Sequence, residues 1–336
     1  MPGPAGKVVD SFETRVRELE ERSLSPLAVR SYETRGRARE EKPCRLRTPF
    51  QRDRDRIFHS KAFRRLAHKT QVFIDPEGDH FRTRLTHTLE TTGISRGVAR
   101  ALRLNEDLTE AIGLGHDLGH TPFGHAGENA LSAILGEKFG RSFRHNEHSL
   151  RVVDVLERDG RGLNLTAEVR DGILNHTGGS EPETLEGRVV HLVDRVAYIN
   201  HDIDDAVRAG ALKASDLPLK AIAALGDSGS RRIDTLVHDI VESSTGSDDI
   251  RQSEEVAEAM LSLREFMFER VYLSEHTRAQ NERAVLVVRS LFVYLLEHPE
   301  AITEKEGRGS DAVENATDYL AGMTDRFALT LFDRIF

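Results

Sequence analysis

Apolar positions recur at helical spacing along most of the chain, and alternation with a period of two is almost absent. A charged helix is expected from Ser11 to Ser23, with Val16 and Leu19 as a thin stripe and Pro26 closing it. Within Phe50–Leu66 the residues Ile57, Phe58, Phe63 and Leu66 share helical spacing, with arginines on the other faces. Arg84-Leu-Thr-His87 opens a long helix with Leu85, Leu89, Val98 and Leu102 broadly on one side. Asn105 or Asp107 caps the next helix, where Leu108, Ala111, Ile112 and Gly115 follow i, i+3, i+4, i+7 and His116 sits at its end. Further helices are expected over 128–139, 149–156, 167–174 after a Thr166 cap, 184–202, 254 to about 298, and 312–332 around Tyr319, Leu320, Met323, Phe327 and Leu331. The predicted fold class is therefore all-α.

The interruptions are as informative. Ser31–Pro49, rich in Arg, Glu and Gly with little periodicity, is an arm rather than core. Lys69-Thr-Gln-Val-Phe73 reads as a short strand or a pocket-lining loop, and Asp75-Pro-Glu-Gly78 as a turn. Gly119, Pro122 and Gly124 break the helix that ends at His116. Leu225–Ile250, with one short apolar helix from Ile233 to Val241, is the expected mobile connection, and Lys305–Ser310 is a polar break.

Composition narrows the class. Hydrophobic residues make up 38% and charged residues 31%, enough for a buried core. No apolar run approaches the ~18 residues of a membrane span, and Met1-Pro-Gly-Pro-Ala-Gly-Lys7 lacks the apolar centre of a signal peptide. Cys44 is the only cysteine, which excludes a disulfide framework or a thiolate zinc cluster and fits a reducing cytoplasm. Net charge is −9, yet residues 30–69 hold fourteen Lys/Arg against five Asp/Glu. This segment is either a focused anion site, for phosphate or nucleic acid, or a solvated basic face.

The chemistry concentrates in Gly115-His-Asp-Leu-Gly-His120-Thr-Pro-Phe-Gly-His125-Ala-Gly-Glu128, which places three histidines and two carboxylates in fourteen residues. Buried His and Asp need partners, and imidazole nitrogen with carboxylate oxygen suits a divalent cation. A hydrolytic site needs ligands converging from several helices. His87, the His116-Asp117 pair and Asp194 form such a set. Taken singly, His87 reads as a satisfied histidine and Asp194 as a helix charge beside Arg195; the combination carries the inference. With no thiolate among them, the donors suit Mn²⁺ or Mg²⁺, with Fe²⁺, Co²⁺ and Zn²⁺ also open. Asp194, Tyr198 and Asp202 lie i, i+4, i+8 on one helical face.

These residues carry a resemblance. His87, His116-Asp117 and Asp194 together resemble the HD-domain phosphohydrolases. His116-Asp-Leu-Gly-His-x-Pro-Phe-Gly-His-x-x-Glu128, His145-Asn-Glu and Asp194-Arg-x-x-Tyr198-x-x-x-Asp202 are similar to the deoxynucleoside triphosphate triphosphohydrolases, the bacterial dGTPases included. Phe50-Gln-Arg-Asp-Arg-Asp-Arg-Ile, Phe63-Arg-Arg-Leu, Lys69-Thr-Gln-Val-Phe73 and Gly322-Met-Thr-Asp325 extend the likeness from about Ser31 to the C-terminus. It implies an N-terminal helix and arm over 1–49, an HD-type metal-dependent core over 50–210 and a helical region over 211–336 packed on it.

By position, the resemblance implies that His87, His116, Asp117 and Asp194 bind the ion. His125 and Glu128 match the catalytic dyad, and His120 and His145 match histidines close to the phosphates. Arg84 and Arg195 match phosphate contacts, although relatives often carry Lys at the second position. Tyr198 would occupy the space a ribose 2′-hydroxyl needs, Asp202 would accept from the 3′-hydroxyl, and Gln71 matches a residue at the sugar and base end. His148 and His176 are assigned to structure or to support of the ligands.

The implied reaction is hydrolysis of a dNTP between the 5′-oxygen and the α-phosphorus, giving deoxynucleoside and whole triphosphate. It needs positive groups at the phosphates and a proton donor or acceptor near neutral pH, a role suited to His125. Relatives commonly form oligomers, and some require a dNTP activator. Two other readings stay open. One is another HD phosphohydrolase, acting on guanosine tetraphosphate, cyclic nucleotides or monophosphates. The other is a nucleotide sensor or single-strand nucleic-acid binder using residues 30–69.

Overall fold

The computed structural model describes residues 4–71, 82–272, 274–302 and 311–336. The expected turn at 75–78, residues 72 and 73 of the expected strand or loop, and the break at 305–310 lie outside the described residues. The described chain is helical, and its only β pairing is two isolated bridges, Arg37 with Thr166 and Thr70 with Thr83. Among the described residues no helix is long and apolar enough to cross a membrane.

The helices are α1 (Pro4–Ser23), α2 (Pro49–Phe58), α3 (Lys61–Arg65), α4 (Arg84–Ala101), α5 (Glu106–Gly115), α6 (Gly124–Phe139), α7 (His145–Arg151), α8 (Ala167–Asn175), α9 (Leu185–Arg208), α10 (Leu219–Leu225), α11 (Gly229–Ser244), α12 (Glu254–Met267), α13 (Glu275–Glu297), α14 (Ala312–Ala321) and α15 (Asp325–Ile335). Their starts follow side-chain chemistry. Thr48, Thr83, Asn105, Thr184, Ser228, Asp311 and Thr324 each accept a backbone N–H of the first turn. Thr48 and Gln51 complete a reciprocal capping box. Asn105, not Asp107, caps α5.

Several expected elements are redrawn. Phe50–Leu66 is two helices broken at His59-Ser60, where the Ser60 side chain caps α3. Phe58 is left outward while Ile57, Phe63 and Leu66 are buried. The last helix divides at Gly322–Thr324, where Thr324 starts α15. α6 begins at Gly124, four residues earlier than expected, so His125 and Glu128 share its first turns. Within the expected mobile connection the short helix expected from Ile233 to Val241 is longer, α11 from Gly229 to Ser244, and it is packed down. Leu225, Leu236 and Ile240 are buried there, and Arg232 donates to the Asn200 side chain at 2.7 Å.

Three apolar clusters hold the fold. One joins α4, α9, α10, α11 and α12 through Val98, Val193, Ile203, Leu225, Leu236 and Leu263. A second joins α6, α13, α14 and α15 through Leu131, Phe292, Leu320 and Leu331. A third joins α2, α3, α5 and α8 through Phe50, Phe63, Ile112 and Ile173.

The basic arm is folded down by its own carboxylates. Arg37 pairs with the buried Asp53, and Arg56 pairs with Glu41. Arg52 meets Glu41 at 2.7 Å and Arg47 meets Asp55 at 2.7 Å. Arg35 donates its backbone N–H to Glu168 at 2.6 Å. Much of the local positive surplus is thus spent on the chain itself.

A candidate metal centre

α4, the end of α5 and the middle of α9 converge, and this brings His87, His116, Asp117 and Asp194 together. His87 Nε2 lies 3.0 Å from Asp194 Oδ1. His116 Nε2 lies 3.5 Å from both Asp117 Oδ1 and Asp194 Oδ1. One donor atom each from His87, His116 and Asp194 falls within 4.8 Å of the others, a separation that bonds of about 2.0–2.2 Å to one ion would span.

The donor set fits a divalent cation on its own chemistry. His116 Nδ1 donates to the Gly113 carbonyl at 2.6 Å, so Nε2 is the nitrogen that offers a lone pair once its proton gives way to a cation. That Nε2 is fully buried and has no hydrogen-bond partner. Burial opposes charging His116, but Asp117 and Asp194 outweigh it and lift the imidazole to about 9. Burial raises Asp117 and Asp194, yet His120, His116 and Arg84 around Asp117, and His116 and His87 around Asp194, hold both well below the usual carboxylate range. The carboxylates therefore demand positive charge at the point where the nitrogens aim. His201 stands behind His87, Nδ1 to Nδ1 at 3.4 Å, with Glu90 3.4 Å from its other nitrogen.

The turn after α5 is shaped by close backbone approach. A Cβ at Gly119 would meet the Ser149 nitrogen at 2.1 Å and the His145 carbonyl at 2.5 Å, so only glycine lets α7 sit there. Gly119 N donates to Ser149 Oγ at 2.8 Å, and Ser149 Oγ donates to the His116 carbonyl at 2.7 Å. Phe123 takes φ 63°, and its N–H is accepted by Asp325 Oδ1 at 2.9 Å. The buried Lys69 ammonium donates to the carbonyls of His120 and Ala321, the latter at 2.9 Å. Burial, helped by Arg65, pulls Lys69 down to about 7.

Beside this turn stands a second group. Glu128 accepts the His145 backbone N–H at 2.8 Å and His145 Nδ1 at 2.9 Å, with His125 Nδ1 3.3 Å away. Burial would raise Glu128, but His125 and His145 drive it far below the usual range. His125 is largely exposed, while His120 is buried and stacks on His145 with centroids 3.8 Å apart. Burial and then Arg84 keep His120 neutral, well below its usual value. Arg84 is itself buried; Nη1 donates to Asp117 Oδ2 at 2.8 Å, while Nε and Nη2 have no partner.

The remaining expected residues are placed unevenly. Gln71 is buried with an unpartnered Oε1, and its carbonyl lies over Gly124, close to Arg84. Asp202 is buried and accepts the Tyr272 hydroxyl; burial lifts it to about 6 despite that bond. Tyr198 is half-buried on the same face of α9. Arg195 is not drawn into the cluster: it is exposed and donates to His191 Nε2. Sequence reading missed Tyr272 and His201 and gave no role to Lys69 or Asp325. The Lys69-Thr-Gln and Met-Thr-Asp325 strings were the available signal for the last two.

An all-helical bundle with two histidines and two aspartates at one buried point defines an HD-type phosphohydrolase scaffold. The HD domain model matches residues 84–199, and the phosphohydrolase-associated domain model matches residues 250–334. A deoxyguanosinetriphosphate triphosphohydrolase-like protein of Caldanaerobacter subterraneus is 58% identical over 95% of this chain and 94% of its own length. Proteins of the same description from Desulfatibacillum aliphaticivorans and Clostridium tetani are 46% and 44% identical, over 93% and 97% of this chain and 94% and 96% of their own. The chain belongs to the deoxyguanosinetriphosphate triphosphohydrolase-like family of HD-domain proteins.

Proposed function

We propose that this protein hydrolyses deoxynucleoside triphosphates, dGTP-like substrates among them, to deoxynucleoside and inorganic triphosphate. The observation that carries the reading is Arg84. A buried guanidinium bonded to Asp117 through one nitrogen, with two nitrogens unpartnered, asks for an oxyanion beside the metal ligands.

His87, His116, Asp117 and Asp194 would hold the divalent ion, Mn²⁺ or Mg²⁺ by donor type. Such an ion, when bound, supplies Lewis acidity at the α-phosphate. Arg84, His120 and His145 contact the phosphates. Glu128 orients His125, which exchanges a proton at the reacting oxygen; its exposure lets it reach a ligand entering from solvent. Asp202 accepts from the 3′-hydroxyl, and Tyr198 fills the space beside the sugar C2′. Gln71 meets the sugar and base end. Arg195 reaches the phosphates only by leaving His191.

The test is incubation of Mn²⁺-loaded protein with each dNTP, alone and mixed, with phosphate products resolved. Intact triphosphate is expected, with mixtures included to satisfy a dNTP activator. Release of orthophosphate or pyrophosphate, or no turnover in any mixture, sinks the assignment. Asp117→Ala should abolish turnover outright. The arm's arginines, paired internally, lend little to the nucleic-acid reading.

A further inference from the structure

A cavity lies at the back of the turn that follows α5, and neither the candidate ligands nor His120, His125 and His145 line it. Its walls are α3, Leu118 of the turn itself, the stretch from His148 to Arg158, and the end of α14 at Tyr319 and Ala321. It holds about 60 Å³, room for about four to six waters and too little for a nucleoside.

Four cations border this space: Lys61, Arg65, Lys69 and Arg158. Glu157 and Asp318 border it as well, but both are engaged within its walls. Glu157 accepts the Ala62 N–H at 2.8 Å, and Asp318 takes Arg151 through both oxygens at 2.7 Å each. Lys61 leans on Asp159 at 3.9 Å.

The donors that remain call for an anion. The buried Lys69 ammonium has three N–H groups, and the carbonyls of His120 and Ala321 take two of them. The third has no acceptor among the described residues, and the cavity is the space beside it. Burial and then Arg65 depress the Lys69 pKa, a meeting of like charges that an anion relieves. The Arg158 guanidinium makes no hydrogen bond or ion pair among the described residues. It is presented to the cavity at a backbone cost, since Arg158 and Asp159 take φ 54° and 57°, successive left-handed residues without glycine.

We propose that this cavity binds a tetrahedral inorganic oxyanion, orthophosphate by size, held by Lys69, Arg65 and Arg158. Lys69 also holds the His120 carbonyl, and Leu118 is the neighbour of Asp117, so the bound anion braces the turn from the side away from the candidate ligands. This site is separate from the oxyanion position at Arg84, and it stands whichever nucleotide is cleaved.

The experiment is titration calorimetry of the full chain with inorganic phosphate, in chelator and without nucleotide. Saturable binding is expected. Arg158→Gln should weaken it at least tenfold, whereas Arg84→Gln should leave the affinity within threefold. Arg158 is exposed and unpaired, so the variant should keep the urea midpoint of the unaltered chain in phosphate-free buffer, which separates lost binding from lost folding. Hydrogen exchange of the unaltered chain gives a readout that needs no variant: phosphate should slow exchange over 61–69 and 318–322. No saturable binding, unchanged affinity in folded Arg158→Gln, affinity lost in Arg84→Gln, or protection confined to α4 overturns the proposal.

Discussion

At the scale of single residues, the candidate centre is organised by which nitrogen holds a proton. His201 is buried, and burial followed by His87 and Arg82 brings it down to about 3, so it is neutral and can accept the Nδ1 proton of His87. That leaves His87 Nε2 free to bind a cation. His201→Phe should therefore weaken Mn²⁺ binding by about 10–100-fold, with His201→Gln recovering much of it, as read by titration calorimetry. Asp202 ionises only as pH rises through about 6, and the Tyr272 hydroxyl bond is what lowers it toward that value. Tyr272→Phe should move the acidic limb of kcat/KM to higher pH; an unmoved limb would remove Asp202 from sugar binding. Glu186 accepts Val29 N and Asn105 N at 3.0 Å each, while its other oxygen is buried and unpartnered. Burial raises it from 4.5 to about 7. Its folded pKa exceeds its unfolded one, so the folded chain holds a proton that the unfolded chain releases between those values. Stability is thus lost as pH climbs from 4.5 through 7. Glu186→Gln keeps the accepting oxygen and should shrink the pH 5 to pH 8 difference in urea stability by about 1–3 kcal/mol.

At the scale of elements, α4 shows where pattern reading runs out. Its buried face is Arg84, His87, Thr88, Thr91, Thr92 and Ser95 before it reaches Val98, while Leu89 of the expected apolar stripe lies outward. A helix that must present a ligand and a guanidinium inward cannot also be apolar inward, so hydrophobic periodicity misplaced its face. α11 was expected as a short helix, Ile233–Val241, in a mobile connection, and its extent was underread for the opposite reason. Gly, Ser and Asp around it suggested mobility, but those residues cap and turn the chain at its ends while Leu236 and Ile240 anchor the middle. Leu236→Ala should cost about 2–5 kcal/mol by chemical unfolding, which a mobile connection would not show. The candidate ligand cluster was legible in the sequence because His116 and Asp117 are contiguous, while His87 and Asp194 joined it only through the family resemblance. Tyr272 was not, since it reaches Asp202 from a π-helical turn, Phe268–Tyr272, seventy residues away.

At the scale of the whole molecule, the segment joining α14 to α15 braces the turn after α5. Asp325 accepts Phe123 N at 2.9 Å and Thr70 N at 2.9 Å, Ala321 shares Lys69 with His120, and Asp318 lies 3.3 Å from His148, whose other nitrogen faces the Gly119 carbonyl at 3.1 Å. Asp325→Ala should lower kcat about 10–100-fold with Mn²⁺ affinity nearly unchanged, because small displacements of positioned groups are costly while the ligands on α4 and α9 stay put. Equal loss of metal binding would show that the brace supports the fold alone. The glycine at 119 sets a last condition on all of this. With peptide pressed directly against peptide, no side chain cushions that junction, and a shift of one helix start passes undiminished to His120 and His145. A side chain placed there could be admitted only by prising α7 from the turn after α5, carrying both imidazoles with it.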